Sequence, residues 1–126
     1  MEREINQELI ENIIMQFQTE GKLISYNRHG NGHINDTFLL TYENDREKKR
    51  YILQRINTNI FKEPEKLMAN IVRVTSFLKE EIKKLGGDET REVLNLIYTK
   101  DNKPYCIDNE GSYWRMYLFI EGAKSL

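Results

Sequence analysis

The 126-residue chain is long enough to bury a core of its own and too short for two ordinary domains. Nineteen Lys and Arg against 20 Asp and Glu leave a formal net charge of −1, so no global field draws it to nucleic acid or to an acidic membrane. A single cysteine, Cys106, excludes an internal disulfide framework and a structural zinc site, and the charged start Met1–Glu8 carries no apolar signal core; with no apolar run of membrane-spanning length, a cytoplasmic protein is expected.

From Ile5 the apolar residues Leu9, Ile13 and Phe17 recur every four positions, flanked by Ile10 and Ile14, and Gly21 supplies a stop. This predicts a helix from Arg3 to Glu20. Residues 22–26 and 37–42 are rich in branched and aromatic side chains and enclose a polar stretch, Arg28 to Asp36, so they read as strand, loop, strand. A charged turn, Glu43 to Lys49, precedes a third strand from Arg50 to Ile56, and the three strands should be antiparallel neighbours. Pro64 then opens a helix in which Leu67, Ile71, Val74, Leu78, Ile82 and Leu85 follow at spacings of three and four until Gly86 and Gly87 end it. Residues 93–99, 104–107 and 112–120 are predicted strands, separated by Asp101-Asn102 and Asn109-Glu110-Gly111. Helices and strands are segregated rather than alternating, which favours an α+β layer with an antiparallel sheet.

The segment Gly30 to Phe38 lies between two strands rather than between a strand and a helix, so it fits neither a dinucleotide-binding turn nor a Walker loop. By itself it fits an ordinary hairpin first, and also a glycine loop whose backbone amides approach a phosphate from between antiparallel strands. His29 and His33 stand four apart with no cysteine or acidic cluster to complete a metal site, so no metal ligand is assigned. Arg55, near the end of the third strand, could reach phosphates under the loop or simply face solvent; Gln54 must then point to the opposite face. Glu65 suits the first turn of the second helix through the helix dipole. Tyr113, Trp114, Tyr117 and Phe119 make the last strand aromatic, as core or as a hinge against which an adenine could lie.

Taken together, Gly30-Asn31-Gly32-His33-Ile34-Asn35-Asp36-Thr37-Phe38, Tyr51-Ile52-Leu53-Gln54-Arg55-Ile56-Asn57 and Trp114-Arg115-Met116-Tyr117-Leu118-Phe119-Ile120-Glu121-Gly122-Ala123 resemble the aminoglycoside phosphotransferase and choline kinase superfamily, most closely the branch containing N-acetylhexosamine 1-kinase. The resemblance implies a protein-kinase-like N-terminal lobe: an antiparallel sheet of about five strands, a packed helix, and ATP bound beneath the sheet against a larger C-terminal lobe. It implies a phosphate loop of Gly30, Gly32, His33, Asn35 and Thr37, a phosphate-binding Arg55 in place of the third-strand lysine, and adenine received by the backbones of Leu118 and Ile120. No glutamate of the second helix is clearly placed to pair with Arg55. Nor does the chain match the family's catalytic His-x-Asp or its metal-binding aspartate, since His29-Gly30 is followed by Asn31.

The expectation is therefore the ATP-binding lobe of a kinase that phosphorylates a small-molecule hydroxyl, a sugar above all, cut at the hinge and inactive by itself, with Mg ligands supplied by a second lobe. The competing expectation is a kinase-like interaction module without catalysis. Nucleic acid and membrane are not expected partners. The fragment is expected to self-associate through apolar residues left uncovered, among them Leu53, Leu118 and Ile120.

Overall fold

The computed structural model describes residues 7–30, 36–88 and 93–119. Its elements run α1 (Gln7–Ile14), β1 (Lys22–Arg28), β2 (Asp36–Asn44), β3 (Glu47–Arg55), α2 (Pro64–Lys84), β4 (Leu96–Ile97), β5 (Cys106–Ile107) and β6 (Tyr113–Leu118). This is the α+β order read from the sequence, with six strands in one antiparallel sheet. The strands lie in the order β1-β2-β3-β6, and β4 and β5 both pair along the far edge of β6.

The charged turn between β2 and β3 is tighter than its composition suggests. Asp45 and Arg46 both take positive φ, 51° and 70°, the left-handed pair whose twist matches that of the flanking strands. The ladder therefore runs out to Asn44 and Glu47, and both strands are longer than predicted.

The first helix is shorter than predicted, ending at Ile14 instead of Glu20. Non-local pairing takes over from helical periodicity. Phe17 forms an isolated bridge with Thr99, the Gln18 amide donates to the Tyr98 carbonyl at 3.0 Å, and the Gln18 side chain donates to the Thr99 carbonyl at 2.7 Å. Gly21 is then a point of close approach rather than a helix stop. Its φ is +85°, and a Cβ there would stand 2.4 Å from the Glu43 carbonyl oxygen.

Residues paired across antiparallel strands share a face, so the register sorts the sheet. One face carries Phe38, Leu40, Leu53, Trp114 and Met116, and α1 seals it with Ile10, Ile13 and Ile14. Leu53 is fully buried there, which corrects the expectation that it is uncovered: parity puts it under α1. Leu118 also packs against this core.

The other face carries Thr37, Leu39, Ile52, Gln54, Tyr113, Arg115 and Tyr117, and it meets α2 through Glu65 and Met68. The side chains of His29, just past β1, and Phe119, just past β6, meet edge-on over this face with ring centroids 5.7 Å apart. With two strands between them and four residues' offset along the strands, a flat sheet would hold their backbones roughly 20 Å apart at the usual spacings of about 4.8 Å across and about 3.3 Å along the strands. The sheet therefore curls toward α2, and this face is concave.

The second helix keeps its predicted bounds, with Pro64 in its first turn and Gly86 at φ 75° past its end. Its packing differs from expectation. Only Pro64 and Met68 are buried, while Val74, Leu78 and Leu85 of the predicted stripe, together with Phe77, are exposed. The helix packed into the core is α1.

Candidate functional site

Gly30 leaves β1 at φ 77° with open space where a Cβ would be, and the His29 amide donates to the Thr37 carbonyl at 3.0 Å to close the base of the loop. The loop thus joins adjacent antiparallel strands at the end of the sheet where Thr37, Gln54 and Arg115 lie. Of the residues assigned to it, Gly32, His33 and Asn35 lie outside the described residues, as does Ile120 in the hinge.

Thr37 and Arg55, assigned to one site from sequence, stand on opposite faces of the sheet. Thr37 pairs with Gln54 on the concave face, whereas Arg55 pairs with Asp36 on the α1 face. There Arg55 donates through Nε and Nη2 to Asp36 Oδ2, its Nε at 2.9 Å, and its guanidinium lies over the Trp114 ring at 5.9 Å. Arg28 donates to the other carboxylate oxygen at 3.1 Å. Burial alone would raise the Asp36 pKa, but hydrogen bonds and charge from the two arginines outweigh it and hold the carboxyl below its ordinary value. Arg55 is thus already satisfied by the residue that ends the loop, and it fixes the base of that loop by clamping β2 to β3. On α2, Asn70 accepts from Arg73 at 2.6 Å.

A row of polar side chains crosses the concave face. Gln54 Nε2 donates to Thr37 Oγ1 at 3.1 Å, Arg115 Nε donates to Gln54 Oε1 at 3.0 Å, and Arg115 Nη1 lies 3.9 Å from the thioether of Met68 on α2. Burial lowers the Arg115 pKa, with a smaller opposing effect from the Tyr117 ring, and no carboxylate pairs with it among the described residues. Sequence reasoning missed Arg115 as a site residue. The available signal was parity: between Trp114 and Met116, a cation in an aromatic strand must face the other way.

At the end of β6, Leu118 donates its backbone N–H to the Asn95 carbonyl at 2.8 Å, so that N–H is already taken. Two hollows, of about 330 and 520 Å³, lie around the end of α1, both bordered by Met15 and Lys100. Neither touches Gly30, Thr37, Arg55 or Leu118. Among the described residues no group of three His, Cys, Asp or Glu side chains is placed to hold a metal, and no helix is long and apolar enough to cross a membrane.

No family model matches this chain.

Proposed function

We propose that this chain is the nucleotide-binding lobe of a small-molecule kinase of the aminoglycoside phosphotransferase type, acting on a sugar hydroxyl. The observation that carries the reading is the glycine loop. It joins two adjacent antiparallel strands at one end of a concave face, and Thr37, its first described residue on that face, is hydrogen-bonded into a row that ends in a cation.

Phosphoryl transfer is mostly positioning and charge neutralisation. In this reading the loop amides of Gly30 and Gly32, with His33, Asn35 and Thr37, cradle the ATP phosphates. Arg55 fixes the base of the loop through Asp36, and the backbones of Leu118 and Ile120 take adenine. In this reading the Mg ligands and the His-x-Asp base come from a second lobe, as the family resemblance implies. The chain alone should transfer no phosphate. The His29–Phe119 contact crosses the face where adenine would lie, so a nucleotide must part these rings.

A second reading, an interaction module that binds no nucleotide, draws its support from α2, whose Val74, Phe77 and Leu78 are exposed. An amide chemical-shift titration with millimolar ATP separates the two. Nucleotide binding should move signals from Gly30 to Thr37, on the concave face and from Leu118 to Gly122. A response confined to the α1 side, or none at all, would overturn the kinase reading.

A further inference from the structure

From the concave face we infer that Arg115 is a phosphate-binding cation of this site, oriented by Gln54 and reaching an anion that lies along the row from Thr37. The inference rests on the nucleotide reading and adds to it a residue on β6. Three observations carry it.

First, Arg115 is partly buried with no carboxylate against it among the described residues; one of its five N–H groups is taken by Gln54 and another meets only a thioether, a weak acceptor. A guanidinium withdrawn from water without a counter-charge is costly, and an incoming oxyanion would relieve that cost. Second, its direction is set. Gln54 holds Nε and is itself held by Thr37, so the planar head is fixed in the way that bidentate recognition of a phosphate requires. Third, its place fits. Arg115 lies in register with Gln54 and Thr37, two strands from the residue that follows the loop. That is roughly 10 Å at ordinary strand spacing, too far for one phosphate group to bridge and within reach of a polyphosphate chain. Arg55 offers no equivalent, since it faces away and is spent on Asp36.

The test is titration of this chain with inorganic tripolyphosphate and, separately, with adenosine, followed by amide shifts and the Arg115 Nε–H signal. Tripolyphosphate should move that signal, and Arg115→Gln should weaken tripolyphosphate binding roughly tenfold to a hundredfold, the usual range for losing a charged hydrogen bond, while leaving adenosine binding in place. Gln54→Glu sets a carboxylate against the guanidinium without changing the size of the side chain. It should weaken tripolyphosphate binding as well, which keeps the test open if Arg115→Gln fails to fold. Arg73→Gln, a loss of charge on the exposed face of α2, should change nothing. Wild-type affinity for tripolyphosphate in both Arg115→Gln and Gln54→Glu would overturn the inference even if ATP binds. Arg115-dependent tripolyphosphate binding without adenosine binding would uphold it while removing the nucleotide reading. No response of the wild-type chain to tripolyphosphate would also overturn it.

Discussion

The two helices invert what their sequences suggest about importance. The shorter one, α1, has eight described residues, yet Ile10 and Ile13 are each 1% exposed and close over Leu40, Leu53 and Met116. The longer, α2, has 21 residues, good stop signals and a full apolar stripe, yet Phe77 is 64% exposed and Leu85 85%. Periodicity shows that a helix forms and which side is apolar; it does not show what covers that side. The difference is one of partners. α1 lies on the sheet face where β2, β3 and β6 all present apolar residues, while α2 meets the concave face through its first turns, Glu65 bonding Tyr113 and Met68 lying against Arg115.

The sharpest way to test the comparison is to truncate one apolar side chain in each helix. Ile13→Ala should cost about 2–5 kcal/mol, the range for emptying a packed core site. Phe77→Ala should stay within about 0.5 kcal/mol, as surface changes do. Chemical denaturation of both variants measures this, and a large loss for Phe77→Ala would mean that α2 is covered in solution.

The glycines that follow the helices extend the contrast. Gly21 and Gly86 both have positive φ, +85° and +75°, so alanine is strained at either. Only at Gly21 would the new methyl also collide with backbone, 2.4 Å from the Glu43 carbonyl oxygen; at Gly86 it meets nothing within 4 Å. Gly86→Ala should therefore cost about 1 kcal/mol. Gly21→Ala should cost more, roughly 2–3 kcal/mol, as β1 is pushed off β2. Equal melting temperatures for the two variants would show that the start of β1 gives way freely.

What could be read from the chain divides along the same line. Local chemistry placed Pro64 and Gly86 at the ends of α2, the Asn102 and Gly111 turns, and the three consecutive antiparallel strands. Contacts between distant residues were hidden. Phe17 fits a helix by spacing, and only its pairing with Thr99 removes it. In the site, alternation already required Gln54 and Arg55 to face apart, but nothing local says which face α2 takes. That choice assigns Gln54 to the concave face and Arg55 to the core side, and it brings Arg115 in from a strand 61 residues beyond Gln54. The masking of charge was equally hidden: Asp36 is one carboxylate in a polar stretch until the fold sets Arg28 and Arg55 on either side of it.

The smallest expected effect concerns a hydrogen bond that ties the first turn of α2 to β6. Tyr113 donates its hydroxyl to Glu65 Oε1 at 2.9 Å. The bond to Glu65 raises the Tyr113 pKa above its ordinary value, burial and the charge of Glu65 adding to the same effect. The sign follows from linkage. Because the folded pKa is the higher, any stability the bond supplies is complete below the ordinary tyrosine range and is lost as pH rises through the folded value. A ring-signal titration should therefore find Tyr113 ionising above the normal range, and Glu65→Gln should bring it down while changing melting at neutral pH very little. If Tyr113 titrates normally in the unaltered chain, the bond is not held in solution. The side chain of Met68 beneath Arg115 would then be the main anchor of α2 on this face, and the phosphate-binding cation and the position of the helix would depend on the same contact.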